Sequence, residues 1–364
     1  MMFTPDLNMD LRGITTPAPD LDPLFAPKTS GYLGADAALS IPLTGGRVLW
    51  CFGDTLIGRQ ENGKRILEAM PRNTIAIQSP GPAKPENVEW ILTDKKGKLS
   101  DFFSLPPSEK DKWFWPATGI CLDGELFIFG NVVMPAKGSC EALSFRVVGS
   151  RLFRVADTSG HPLDWKFEST PVEHSFERVL FSSACLMASP FLYILGVEFF
   201  AGRLPIRNTY TVLARVDMDD LRRKKNFPRF EYFCGEVESS EWRSDGGRLF
   251  PLYQPGVTES TLYYDAPRKR YLATTYNPEK PEYLIVTAPS LTGPWSWPTL
   301  IFREERSMPV DAYLFYAFRM HPHLAAHEDE MILTYIVNTR SGSDLLIDCE
   351  RYYPRFLRID LSRL

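Results

Sequence analysis

An all-β fold, a five-bladed β-propeller, is what this sequence predicts, on three observations. An apolar strand-like run ends at a small or polar residue in one frame as Trp50-Cys51-Phe52-Gly53-Asp54, Phe127-Ile128-Phe129-Gly130-Asn131 and Tyr193-Ile194-Leu195-Gly196-Val197, with looser copies at Ala273-Thr274-Thr275-Tyr276-Asn277 and Tyr335-Ile336-Val337-Asn338. The interval, roughly 60 to 80 residues, suits one four-stranded sheet plus long loops. Two further echoes keep that period: Arg72-Asn73-Thr74 returns as Arg207-Asn208-Thr209, and Leu213-Ala214-Arg215-Val216-Asp217 as Phe356-Leu357-Arg358-Ile359-Asp360. Finally, 30 prolines and 13% aromatic residues favour turns and strands over helices.

Residues 1–30, rich in Pro and Asp, form an extension that either wraps the surface or donates a strand closing the ring; 31–364 read as a single propeller domain, with no Gly/Ser or charge-rich linker dividing them. The first blade takes 35–43 as its innermost strand, then 47–54, 74–79 and 88–93, with 60–70 a loop insertion that has room for a helix. Its first turn, Thr44-Gly45-Gly46, and Asp123-Gly124 in the second blade are hairpin signals. The remaining blades span about 115–169, 179–242, 256–302 and 318–361. Their inner strands open with Asp36, Ala117, Ser182, Glu259 and His321, so five different side chains ring one end of the axis.

Bulk properties exclude several classes. The net charge of −4 and the single basic run Arg222-Arg223-Lys224-Lys225, without aromatic company, indicate no nucleic acid. Six scattered cysteines without metal-type spacing read as buried free thiols. No window reaches membrane-spanning length, and the first residues show no basic stretch followed by an apolar core. A cytoplasmic location is the expectation, or secretion if a signal peptide has been removed.

The candidate chemistry lies in the ring. With the first turn centred on Gly45, Asp36 falls across from Asp54. Opposed like charges destabilise a sheet and raise one of the two pKa values, and general acid/base catalysis is one reason to keep both. Glu259, in Thr258-Glu259-Ser260-Thr261, is their natural partner across a narrow channel; an ion pair to Arg72 or Arg319 is its alternative role. Glycosidic hydrolysis needs two such carboxyls flanking the bond. Arg72 and Asn73 open a third strand at the same rim, and Trp115 and Tyr276 offer ring faces on which a sugar could stack. His321 and His323, two apart, share a strand face; His321 is placed to bind a channel metal ion or water and His323 to contact substrate. Beyond that optional ion or water, no cofactor is required.

Gly34-Ala35-Asp36, Phe52-Gly53-Asp54-Thr55, Arg72-Asn73-Thr74, residues 283–295 and His321-Pro322-His323-Leu324, spread over nearly the whole chain, resemble the five-bladed propeller glycoside hydrolases, the furanosidase-type enzymes that include arabinanases and β-xylosidases. The closest likeness is to the branch that includes endo-D-arabinanases. The resemblance implies Asp36 as general base, Glu259 as general acid, Asp54 as a further catalytic candidate, His321 beside a channel ion, and an oligo- or polysaccharide substrate. One departure stands out: relatives commonly carry an Asp in the second inner strand, where this chain reads Trp115-Pro116-Ala117-Thr118-Gly119. That absence keeps a non-catalytic carbohydrate- or protein-binding propeller as the rival function.

Overall fold

The structure is a computed structural model that describes residues 11–95, 97–174, 176, 178–199, 209–223, 226–235, 241–277, 280–304 and 310–364. Arg207, Asn208, Lys224 and Lys225 lie outside the described residues.

Five antiparallel sheets of four or five strands succeed one another along the chain. The first is Leu39–Pro42, Val48–Phe52, Thr74–Gln78 and Val88–Ile91. The second is Trp113–Leu122, Glu125–Pro135, Phe145–Val155 and Phe167–Val172. The third runs from Val179–Ala188 through Phe191–Phe199, Thr209–Asp217 and Glu231–Phe233 to Trp242–Arg243. The fourth is Leu262–Asp265, Arg270–Asn277, Glu282–Ala288 and Thr299–Arg303. In the fifth, Tyr313–Met320, Glu330–Thr339 and Arg355–Asp360 are completed by Thr15–Pro17 from the N-terminal segment, Thr15 pairing with Ile359. The N-terminal segment thus contributes the outermost strand of the fifth sheet.

Side chains alternate across a strand, so a strand between two sheets buries both faces. Leu126 and Ile128 pack with Ile41, Leu49 and Ile77 of the first sheet, whereas Phe127 and Phe129 pack with Val179, Phe181 and Ile194 of the third. Similar clusters join the third sheet to the fourth (Leu213 with Val286), the fourth to the fifth (Ile285 with Leu333) and the fifth back to the first (Phe356 with Trp50). The sheets therefore close into a β-propeller ring, and the unbroken apolar runs of the sequence are its doubly buried second strands. Full burial of each such Leu, Ile or Phe stabilises the ring by about 1.5–3 kcal/mol.

Two expectations are corrected. Residues 60–70 are neither loop nor helix: Lys64–Ala69 returns against Thr55–Glu61 through Asn62-Gly63, whose left-handed φ values of 50° and 72° make the hairpin turn that this dipeptide favours. With Ser30–Ala35 these strands form a separate three-stranded sheet at the rim. The fifth inner strand begins at Tyr313, not near 318, because a bulge between Tyr316 and Arg319, with Ala317 at φ 52°, breaks its alternation. His321 accordingly follows the end of that strand. Among the described residues, no helix is long and apolar enough to cross a membrane.

Candidate active site

Asp36 lies where the chain leaves the three-stranded sheet and enters the ring. Ala35 pairs with Thr55 on one side and Leu39 with Cys51 on the other, in a single register that sets Asp36 opposite Asp54, as the first turn predicts. Between these ladders the pairing is interrupted: Ala37 and Ala38 take left-handed φ values of 71° and 51°, a costly conformation for residues with a Cβ. Similar irregularities fall at Pro116/Thr118, Leu180/Ala184 and Tyr316/Arg319 in the second, third and fifth inner strands. Bulges of this kind re-aim side chains beside active sites.

The Phe-Gly-Asp-Thr segment has a physical reading at each residue. Phe52 is core. A Cβ on Gly53 would sit 2.3 Å from Oδ1 of Asp36, so glycine lets that carboxyl lie against the backbone. Thr55 Oγ1 donates to the Gly53 carbonyl at 3.0 Å and lies 2.7 Å from Thr74 Oγ1, fixing the turn from which Asp54 projects.

Asp54 has a donor on each oxygen: Trp115 Nε1 to Oδ1 at 2.9 Å and Arg72 Nη1 to Oδ2 at 2.8 Å. Arg72 is itself held by its backbone N–H on Asp101 and by its guanidinium 4.6 Å from the Trp113 ring centroid. Burial nevertheless pushes the Asp54 carboxyl above the usual carboxylate range, outweighing the opposing Arg72 charge.

Glu259 precedes the fourth inner strand. Arg319, 1% exposed, joins it to the first sheet: Nε donates to the Ala37 carbonyl at 3.0 Å, Nη1 to the Ser260 carbonyl at 3.2 Å, and Nη2 lies 3.6 Å from Glu259 Oε1. One guanidinium therefore grips the residue after Asp36 and the residue after Glu259, so carboxylates 223 positions apart in sequence converge. Burial raises the Glu259 pKa against the opposing pull of Arg319. Asp36 is raised furthest from its ordinary range, first by burial and then by the charges of Asp54 and Glu259. Tyr316, whose hydroxyl donates to Oδ2 at 2.8 Å, and Tyr352 oppose that shift.

The other expected site residues divide. Arg72 and Trp115 stand beside the carboxylates. Asn73 does not face substrate: fully buried, its amide donates to the carbonyls of Phe103 and Phe114 and accepts from the Phe103 N–H, a staple between a loop and the inner strand of the second sheet. Tyr276 lies near Glu259 but is 5% exposed within the core between the fourth and fifth sheets, which leaves no open ring face for stacking. His321 is fully buried with Nδ1 2.6 Å from Ser40 Oγ and Nε2 2.8 Å from Thr334 Oγ1, so both ring nitrogens are engaged by hydroxyls rather than turned to an ion. His323 packs edge-on against Trp50, and burial lowers its pKa to about 4. Among the described residues, no group of three His, Cys, Asp or Glu is arranged to hold a metal. Ala117 is buried, and Ser182 donates to Asn131 Oδ1. Sequence reasoning missed Tyr316 and Tyr352 as partners of Asp36, and named Arg319 only as an alternative partner of Glu259.

Fold and site together define an all-β propeller in which Asp36 and Asp54 flank the first two strands of the first sheet and Glu259 precedes the fourth. The chain belongs to the family described as "Domain of unknown function (DUF5005)", whose model matches residues 20–361. No curated protein sequence matches it. Among solved structures it is similar to a candidate hydrolase from Bacteroides ovatus, at 15% identity and TM-score 0.74 over 98% of this chain and 95% of that one. It is also similar to a GH43_1 enzyme from Xanthomonas citri (10% identity, TM-score 0.51, 96% and 91% of the two chains) and to an α-L-arabinofuranosidase from Lactobacillus brevis (13%, 0.51, 95% and 94%). At these identities the likeness is one of fold, shared with glycoside hydrolase propellers.

Proposed function

We propose that the protein is a glycoside hydrolase acting on an oligo- or polysaccharide through Asp36 and Glu259, with Asp54 as an orienting and tuning group. The observation that carries this reading is the convergence of the three carboxyls, with Arg319 bonded to the backbone beside Asp36 and beside Glu259. Family and fold alone do not supply a reaction.

The partners assign the roles. Asp54, with both oxygens already accepting hydrogen bonds, is the least free to exchange a proton with substrate. Its indole partner Trp115 belongs to the second inner strand, so Asp54 brings a carboxylate to the place where Ala117 offers none. Glu259 has a single, loose ion-pair contact among the described residues and a raised pKa, which suits a general acid protonating the leaving glycosidic oxygen. Asp36 receives phenol donors that stabilise its anion, which suits the base or nucleophile. Its raised pKa in the resting protein comes first from burial and then from the charges of Asp54 and Glu259, and a proton on Glu259 removes the last of these contributions. A furanoside substrate, as for the arabinanase branch, is the first choice for assay.

Asp36→Asn, Asp54→Asn and Glu259→Gln, assayed on panels of furanosides and pyranosides, test the reading. Loss of turnover in the first and third is expected, with Glu259→Gln sparing substrates whose leaving group needs no proton. Activity unchanged in all three variants ends it.

A further inference from the structure

We propose that Tyr352 is a further residue of the active site, its hydroxyl serving the Asp36 carboxyl or the Asp54 carbonyl with its one proton according to whether Asp36 is ionised, and that Arg65 is the positioning residue that holds it there. The proposal rests on the hydrolase reading only in taking Asp36 as a reacting group.

Four features of this corner have no other evident purpose. The Tyr352 hydroxyl donates to the Asp54 carbonyl at 2.9 Å, and it lies near enough to the Asp36 carboxyl, set opposite Asp54, to pull that group toward its anion. A phenol has one proton, so it cannot donate to both at once. With Asp36 protonated, that carboxyl donates to the phenol oxygen and the phenol donates to Asp54; with Asp36 ionised, the phenol proton turns to the carboxylate. Secondly, Tyr352 has a left-handed φ of 66°, an outlier for a bulky side chain and a strain characteristic of functional sites. Thirdly, Gly34 makes room for it: a Cβ there would lie 2.4 Å from the Tyr352 carbonyl oxygen.

The fourth feature is Arg65, on the Lys64–Ala69 strand of the rim sheet and 1% exposed. Its guanidinium donates to five carbonyls: Leu33 at 3.1 Å, Leu345 at 2.5 Å, Asp348 at 2.8 Å, Cys349 at 3.3 Å and Arg351 at 2.6 Å. Four of these belong to the end of the short helix Gly342–Ile347 and the turn that delivers Tyr352. The fifth, Leu33, lies three residues before Asp36. No carboxylate among the described residues forms a salt bridge with this buried cation, so its desolvation is offset by ordering backbone on both sides of the Tyr352–Asp36 contact.

The test follows the Asp36 carboxyl directly, by 13C NMR titration of aspartate-labelled full-length protein, with the signal assigned by its loss in Asp36→Asn. Tyr352→Phe, which removes only the hydroxyl, is expected to raise the Asp36 midpoint by about one pH unit or more, since a donor to the anion is lost. Arg65→Lys, or Arg65→Gln if the lysine variant does not fold, is expected to move the midpoint in the same direction. Combined with Tyr352→Phe, it should move it no further than Tyr352→Phe alone. A midpoint unmoved in Tyr352→Phe overturns the assignment of Tyr352. An Arg65 variant that melts earlier yet leaves the midpoint in place overturns its positioning role. A shifted midpoint in a chain that turns over no glycoside supports the present proposal while sinking the hydrolase reading.

Discussion

Trp115 Nε1 lies 2.9 Å from Asp54 Oδ1, tying a carboxylate of the first sheet to the inner strand of the second. Trp115→Phe keeps the ring and removes this one donor. A hydrogen bond to a charged group contributes about 1.5–3 kcal/mol, so kcat/KM on any glycoside the wild type cleaves should fall by about tenfold or more. Retention of full activity would show that Asp54 needs no help from the second sheet.

The raised pKa of Asp36 has a consequence for stability. A carboxyl titrating higher in the folded than in the unfolded chain favours folding at low pH, and that stabilisation is lost as pH rises through the folded value. Asp36→Asn lacks this penalty. It is expected to exceed wild type in stability at pH 8 by an amount on the order of 1 kcal/mol, one pKa unit being about 1.4 kcal/mol, with the gain shrinking toward pH 4. Denaturant titrations at several pH values measure it; a variant less stable than wild type at pH 8 contradicts the assignment.

His321 spans Ser40 and Thr334 with its two nitrogens. Chelation by EDTA is therefore expected to leave both melting temperature and any activity unchanged. His321→Ala should cost about 2–4 kcal/mol, from lost packing against Trp50 and two stranded hydroxyls. A large chelator effect would return the ion to the channel.

Gly34→Ala drives a methyl group toward the Tyr352 carbonyl at a backbone φ of 146°. Overpacking of this kind costs about 1–3 kcal/mol, and backbone strain adds to it. The expected signature is a lower melting temperature together with faster proteolysis around residues 345–353.

Much of the architecture was legible because second strands such as Phe127–Phe129 bury both faces and so stand out as unbroken apolar runs. The Asp36–Asp54 register was legible too, since Gly45 marks the turn and the ladders on either side keep step with it. The fifth sheet was misplaced where the bulge at Ala317 disrupts its alternation. The rim hairpin was overlooked although Asn62-Gly63 announces it. Asn73 drew attention as part of a repeated segment, but its amide is spent on stapling the Phe103 loop to the inner strand of the second sheet. Tyr352 and Arg65 left no periodic trace: their contacts span 298 and up to 286 positions, and nothing in a linear pattern points from one end of such a pair to the other.

The pairing of Thr15 with Ile359 has a temporal side. A ribosome releases the first of these residues long before it makes the second, so the nascent chain stays an unclosed arc until Ile359 has been made. Completion is a single late event. Only then is the fifth sheet, whose Arg319 joins the backbone beside Asp36 to that beside Glu259, locked by its outer strand.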